Sequence, residues 1–408
     1  MKFCLQVNYL GNWSVFVSRW ALTCCLSLGS LPIAVAAPRI PAQASEVLER
    51  LPMRPTDTSA RELATLRAEV NQSAASNPTD PMPATRLAQR YFELALERGD
   101  PRYVGYADAV IRPFPNADSP PLWAMRGQLQ QYRHGFEPAL AAFDAALKVD
   151  PQFATAHAWR GAIYLVQANY PAALGECEAL QRLDRVALSG GCLGLHSAYT
   201  GHLKTALVHL QQALDATQDP GNRLWIWTRL GEVYAWQGKS AAAEQAYRQA
   251  LALGLDDGYL LAARSDFLLD QKRFAEVVKL LEKWEASDGL LLRLALAETQ
   301  LGLPKAAAHT QALQDRFAAA KQRNDTTHRA EEARFWLNLK NDASQSVATA
   351  AANYEVQREP RDARILLESA VAARNPKAAQ AVRDWLQSSG FEDAHLRSLA
   401  QNLAGDAP

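Results

Sequence analysis

"WTRLGEVYAWQGKSAAAEQAYRQALALGL", residues 227–255, decides the fold. Trp227, Leu230, Gly231 and Tyr234 stand at offsets of 0, 3, 4 and 7, one apolar stripe of a helix. Beyond Gly238, the residues Ala243, Tyr247, Ala250 and Leu251 draw a second stripe of the same period. The spacing predicts two amphipathic helices joined by a short turn. Small residues at Gly231 and Ala243 let the pair cross closely. Two such helices cannot bury their stripes alone, so the hairpin needs neighbours.

The neighbours are copies. Upstream, "LWAMRGQLQQYRHGFEPALAAFDAALKVDP" repeats the register through Trp123, Gly127, Phe136, Ala139, Phe143, Ala146, Leu147 and Pro151. A second copy carries Gly161, Tyr164, Tyr170, Ala173 and Cys177. A third carries Leu193, Gly194, Gly201, Ala206, Leu210, Ala213 and Leu214. Looser copies begin near Gly258, Asp288, Thr327 and Arg361. The period averages about 34 residues, the length of a helix-turn-helix repeat.

These residues resemble a tetratricopeptide repeat over residues 81–390, most strongly over 120–255. The resemblance implies an all-α fold, a right-handed α-solenoid or superhelix of about eight to nine such repeats. It further implies a concave groove lined by the first helix of each hairpin, and binding rather than catalysis. Two segments, "GDPRYVGYADA" and "VQREPRDARILLESA", also resemble a group of exported bacterial repeat proteins.

Composition divides the chain further. No acidic residue precedes Glu46, and Lys2 and Arg19 lead into an apolar run from Trp20 to Ala37 that ends in Ala34-Val35-Ala36. That is the layout of a secretory signal peptide over residues 1–36, an uncleaved signal anchor being the alternative. A flexible leader is expected over 37–59, a capping helix and linker over 60–80, and the well-registered array over 81–255. Divergent helical repeats are expected over 256–390 and a C-terminal capping helix and tail over 391–408. The expected location is bacterial and exported, periplasmic or secreted, with no stable membrane insertion after cleavage. The mature chain then keeps only Cys177 and Cys192. Export makes them a candidate disulfide, contributing about 3 kcal/mol through loop closure; two buried free thiols are the alternative.

Forty-three basic residues balance forty-three acidic ones, without the basic excess of a nucleic-acid binder. No Gly-rich phosphate loop, H-E-x-x-H or paired C-x-x-C is present. No cofactor, metal or catalytic residue is therefore expected. His196, His202 and His209, near Cys192, read as a half-exposed set rather than as ligands.

Residues outside the core pattern point to a partner. Trp225 and Trp236 fall opposite the Trp227 stripe, on the face that the resemblance assigns to the groove. Tyr132, Tyr199 and Asp270 share the column of Trp236, and Tyr259 that of Trp225. Leu195 and Asp266 share the column of Glu232. Together they make an aromatic floor with an acidic edge, suited to a peptide or helix carrying apolar and basic side chains. The alternative is that these rings pack within the molecule. The columns that would grip a terminal carboxylate hold Ala124, Ala158, Thr228, Gln128 and Ala162, so such a clamp is not expected.

The leading expectation is a non-catalytic interaction scaffold for a protein or peptide. An assembly or maturation chaperone for an envelope or metal-related complex is a second class. A third is an enzyme using "THRAEEARFWLNLKND", but a charged helix face accounts for His328, Glu331, Glu332 and Arg334.

Overall fold

The repeating stripes resolve into helices. The computed structural model describes residues 43, 59–116 and 118–405, and no strand occurs among them. The expected signal peptide lies outside the described residues, as does the leader apart from Gln43 and Ser59.

Helix α1 (Ser59–Ser76) packs on α2 (Met82–Arg98) through Leu63 and Leu66, and α2 pairs with α3 (Arg102–Ile111). Four regular hairpins follow. They are α4 (Pro120–Tyr132) with α5 (Phe136–Val149), α6 (Ala154–Val166) with α7 (Tyr170–Arg182), α8 (Val186–Tyr199) with α9 (Leu203–Asp215), and α10 (Pro220–Trp236) with α11 (Ser240–Ala252). The looser copies form α12 (Gly258–Asp270) with α13 (Phe274–Leu281), α14 (Asp288–Leu301) with α15 (Ala306–Gln322), and α16 (Arg329–Asn338) with α17 (Ala343–Tyr354). Helices α18 (Pro360–Ala372), α19 (Gln380–Ser389) and α20 (Ala394–Gly405) follow, with α18 packed between α17 and α20. The described residues thus form an α-solenoid of eight hairpins followed by a trio of helices.

Each regular hairpin is closed by one contact. A Cβ at Gly231 would lie 2.8 Å from the Tyr247 ring, at Gly127 2.6 Å from Phe143, and at Gly194 2.7 Å from Leu210. In the α6–α7 hairpin the equivalent of those large side chains is Cys177. The sulfur of Cys192, on α8, fills the space instead and would sit 3.2 Å from a Cβ at Gly161. Cys177 and Cys192 are joined as a disulfide with Cα atoms 5.4 Å apart. The bond therefore ties one hairpin to the next at the spot where a ring would otherwise wedge.

The array curls back on itself. A Cβ at Gly258, which opens α12, would lie 3.0 Å from the Leu96 carbonyl of α2. The curl lets α16–α20 reach the middle of the array, and the two regions share one core. Leu165, Leu195, Tyr199, Leu230 and Val233 belong to the same buried cluster as Val347, Leu366, Trp385, Phe391 and Leu403.

Candidate functional site

The first helices α4, α6, α8, α10 and α12 present their outlying columns on one inner face. Each helix contributes a start, near its N-terminus, and an end that runs into the hairpin turn. At the same place in the turns stand Gly201 and Gly238 and, with the same left-handed backbone, His134, Ala168 and Lys272.

The turn side of this face is not an open groove; the chain's own C-terminal region covers it. The Arg358 amide donates to the Val166 carbonyl at 2.7 Å, at the end of α6. Gln357 meets His134 at 2.7 Å, in the turn after α4. The Leu203 amide donates to Glu392 Oε2 at 3.1 Å, at the start of α9. The segment 357–392 therefore tracks across successive turns.

The expected site residues fall into three groups. Tyr199 is 2% exposed, and its hydroxyl donates to Glu359 Oε1 at 3.3 Å. The Trp236 ring stands edge-on to Tyr199 and to the fully buried Phe391, with centroids 6.2 and 5.3 Å away. Phe391 in turn packs on Trp385, whose indole N–H donates to the Tyr170 hydroxyl at 2.6 Å. Leu195 is buried in the shared core.

The acidic edge makes up the second group. Tyr259 donates to Glu232 Oε1 at 2.7 Å, and the Arg229 guanidinium lies 4.2 Å from the Tyr259 ring centroid. The Arg361 guanidinium reaches the same ring at 5.6 Å. Asp266 accepts from Arg293 and Arg334, and Asp270 accepts from both terminal nitrogens of Arg364 at 2.7 and 2.8 Å. Basic and apolar chemistry does meet the aromatic floor and its acidic edge, but the chain supplies it through Arg334, Arg361, Arg364 and Phe391.

Two residues stand apart. Tyr132 packs edge-on against Phe92 of α2, 6.2 Å between centroids. Trp225 remains 37% exposed, at the start of α10. Its ring lies on α8, where a Cβ at Gly191 would come within 2.6 Å of it, which is why only glycine serves there. Trp225 and Trp236, on one face of α10, thus lie in different surroundings.

Electrostatics at the covered side follow from burial. Asp362 is fully buried, accepts from the Asn353 side chain at 2.8 Å and the Glu359 amide at 3.1 Å, and burial pushes it up to about 7. Burial also pushes Glu359 upward, but Arg361 and Arg229 more than offset it and hold that carboxyl below its ordinary value. Of the two carboxylates, Asp362 is the one that takes a proton. Burial drives His134 down to about 4. Near the disulfide, His196 packs edge-on to the Tyr170 ring at 6.3 Å. The charges of "THRAEEARFWLNLKND" are likewise used internally: Arg334 pairs with Asp266, and Glu332 accepts from the Trp336 indole.

Arg229, Glu359, Arg361, Arg364 and Phe391 belong to this assembly although the groove columns do not contain them. The available signal was the pair Arg361 and Arg364, two basic residues one helical turn apart in a chain whose groove columns end in Asp266 and Asp270.

No family model matches the chain. Superkiller protein 3 of Schizosaccharomyces pombe is 28% identical over 177 residues, 43% of this chain and 12% of that protein. The chain therefore spans a small part of the curated relative it matches. Among solved structures, the APC/C hetero-tetramer Cut9–Hcn1 aligns with a TM-score of 0.49 and 13% identity, over 84% of this chain and 66% of that one. The P58(IPK) TPR domain aligns with a TM-score of 0.22 and 13% identity, over 78% of this chain and 96% of that domain. A chain of Naa15/Naa10 bound to HypK-THB gives 0.26 and 13%, over 85% and 60%. The chain resembles tetratricopeptide repeat proteins in its hairpins and in the small-against-large contacts that close them.

Proposed function

We propose that this chain is a non-catalytic protein–protein interaction scaffold, exported to the periplasm or cell surface, that holds its partner on the helix-start side of the inner face. The observation that carries this reading is the exposure of Trp225, 37%, beside inner-face rings that the chain covers itself. A large aromatic left at the surface of a rigid array is the usual anchor of an interface.

The covered side is a poor alternative. Ile365, Leu366, Leu367, Trp385 and Phe391 are each at most 6% exposed. At about 1.5–3 kcal/mol per buried side chain, uncovering them costs on the order of 10 kcal/mol. That is as large as the whole stability of a typical domain. The C-terminal region is a fixed part of the fold, and a partner must bind beside it. Export is supported by the Cys177–Cys192 disulfide, a bond that persists in oxidising compartments.

A photo-crosslinking residue placed at position 225, in the cell that makes the protein, should give a discrete protein adduct. The same residue at Val208, exposed on the second helix of its hairpin, should give none. Equal adducts from both positions, or none from 225, would refute the reading. Thiol labelling of the protein unfolded in denaturant tests location: Cys177 and Cys192 should be unreactive until a reductant is added.

A further inference from the structure

We infer that the recess between α1, α2, α4 and the start of α6 binds a small molecule, a short linear alkyl diamine protonated at both ends. This goes beyond the scaffold reading and does not depend on it.

The recess holds about 400 Å³, within the roughly 300–1,000 Å³ range of small-ligand sites. Burial separates its floor from its mouth. Thr85, Ala124 and Gln128 are 6%, 2% and 4% exposed and make the floor. Leu66, Met82, Pro121 and Phe153 are half-buried and make apolar walls. The side chains of Glu62 and Glu93 are 52% and 45% exposed and stand at the mouth. Walls of this kind suit a run of methylene groups.

The floor lacks a donor. The Oε1 atom of Gln128 is buried and has no hydrogen-bond partner. A buried amide oxygen left in that state is costly to keep. An ammonium group only donates, and it has three N–H bonds to give. One end of the ligand, seated at the floor, supplies what Gln128 is missing.

The mouth calls for the other end. Four carboxylates, those of Glu62, Glu69, Glu93 and Glu97, share two guanidiniums. Arg86 meets Glu69 at 3.0 Å, while Arg90 is divided among Glu62, Glu93 and Glu97 at 2.7, 3.4 and 2.7 Å. Burial pushes Arg90 downward, but Glu97 and Glu62 more than offset it and hold that guanidinium above its ordinary value. A surplus of two negative charges therefore surrounds the recess, and a dication balances it. An anion would be repelled, and a neutral ligand would leave the surplus uncompensated. A metal dication is the poorer match, since no group of three His, Cys, Asp or Glu among the described residues could hold one. The diamine meets all three surfaces at once: ammonium at the floor, stem on the walls, ammonium at the mouth.

Cadaverine, a linear diamine, would be titrated into the full chain by isothermal titration calorimetry at low salt. Pentylamine carries one ammonium on the same stem, and glutarate carries two carboxylates. Cadaverine should bind saturably, pentylamine at least about tenfold more weakly, and glutarate not at all. A lysine peptide blocked at both ends has a single ammonium and should bind no better than pentylamine. Gln128→Leu should weaken cadaverine binding about tenfold. Its melting temperature should be unchanged or higher, because the substitution also removes the unpartnered acceptor. Glu62→Gln, at an exposed position where a lost ion pair costs little stability, should weaken binding severalfold. The inference is overturned if cadaverine fails to saturate, or if pentylamine, glutarate or the lysine peptide binds as well as cadaverine. Unchanged affinity in either variant that melts like the unsubstituted chain overturns it too. Cadaverine binding without adducts from position 225 would leave this inference standing and sink the scaffold reading. Adducts without cadaverine binding would do the reverse.

Discussion

The first helices of the array end in one environment and begin in another. At their ends Tyr199 and Trp236 are sealed beneath Phe391, and Asp270 pairs with Arg364. At their starts Leu188 and Trp225 meet solvent. The same helices build both sides, so propensity and repeat register cannot be what separates them. Complementarity is. Asp266 and Asp270 are the acidic residues met by the chain's own arginines, and Trp225 is the ring left at the surface. An acidic, aromatic face in a repeat array is therefore as much a demand for an internal partner as an advertisement for an external one.

The sharpest way to break this comparison is to remove one ring from each side. Phe391→Ala empties a fully buried position among Trp236, Trp385 and Tyr199 and should lower stability by about 3–5 kcal/mol in urea denaturation. Trp225→Ala should cost far less, about 1 kcal/mol or below, as expected for a ring that is partly solvated already. Similar losses would mean that both sides are core. The disulfide joins α7 to α8. Replacing Cys177 and Cys192 together by alanine should cost about 3 kcal/mol, read from the same denaturation curves. A much smaller loss would mean that it is not the wedge of the α6–α7 hairpin.

Titration sharpens the comparison through two displaced groups of the covered side. The His134 ring, down at about 4 from an ordinary 6.5, is held neutral by the fold. Its contribution is present above pH 6.5 and lost as pH falls toward 4. Asp362, up at about 7 from 3.8, is held protonated. Its contribution is present below pH 3.8 and lost as pH rises through 7. The two slopes oppose each other between pH 4 and 6.5, so their contributions should largely cancel in urea melts of the unsubstituted protein. Asp362→Asn should leave the His134 slope, with stability rising by up to about 3 kcal/mol across that window. His134→Gln should leave the opposite slope. Two flat profiles would show that neither group is perturbed.

The smallest effect concerns the pair that looks most like a binding contact. Asp270 and Arg364 are bidentate, but their side chains are 46% and 30% exposed. Asp270→Ala should therefore cost no more than about 1 kcal/mol, less at high salt. A larger loss would place charge pairing, rather than the Phe391 cluster, at the root of the covered side.

Much of this was legible in the sequence, and the illegible part has a physical cause. The hairpins were legible because Gly231 and Tyr247 repeat a contact that Gly127 and Phe143 also make. The columns of Trp236, Glu232 and Asp270 were legible because helical register projects from one copy to the next. What covers them was not. Tyr199 and Glu359 are 160 residues apart, and Tyr170 and Trp385 are 215 apart. No period connects such positions. The curl that brings them together depends on small rotations accumulated over many hairpins. The disulfide stood between, one of two readings until Cys192 was found in the place of a repeat's ring.

The return of the segment 357–392 across the earlier turns also has a consequence in time. In a simple stack each hairpin is completed by the next, so the structure can grow as the chain lengthens. Here the array precedes its cover in chain order, and contacts of long sequence separation form slowly. A chain emerging from its N-terminus carries Tyr199, Trp236 and their acidic rim bare until α18–α20 have followed, an interval in which the nascent protein is open to premature association. Phe391 is the residue that closes that interval.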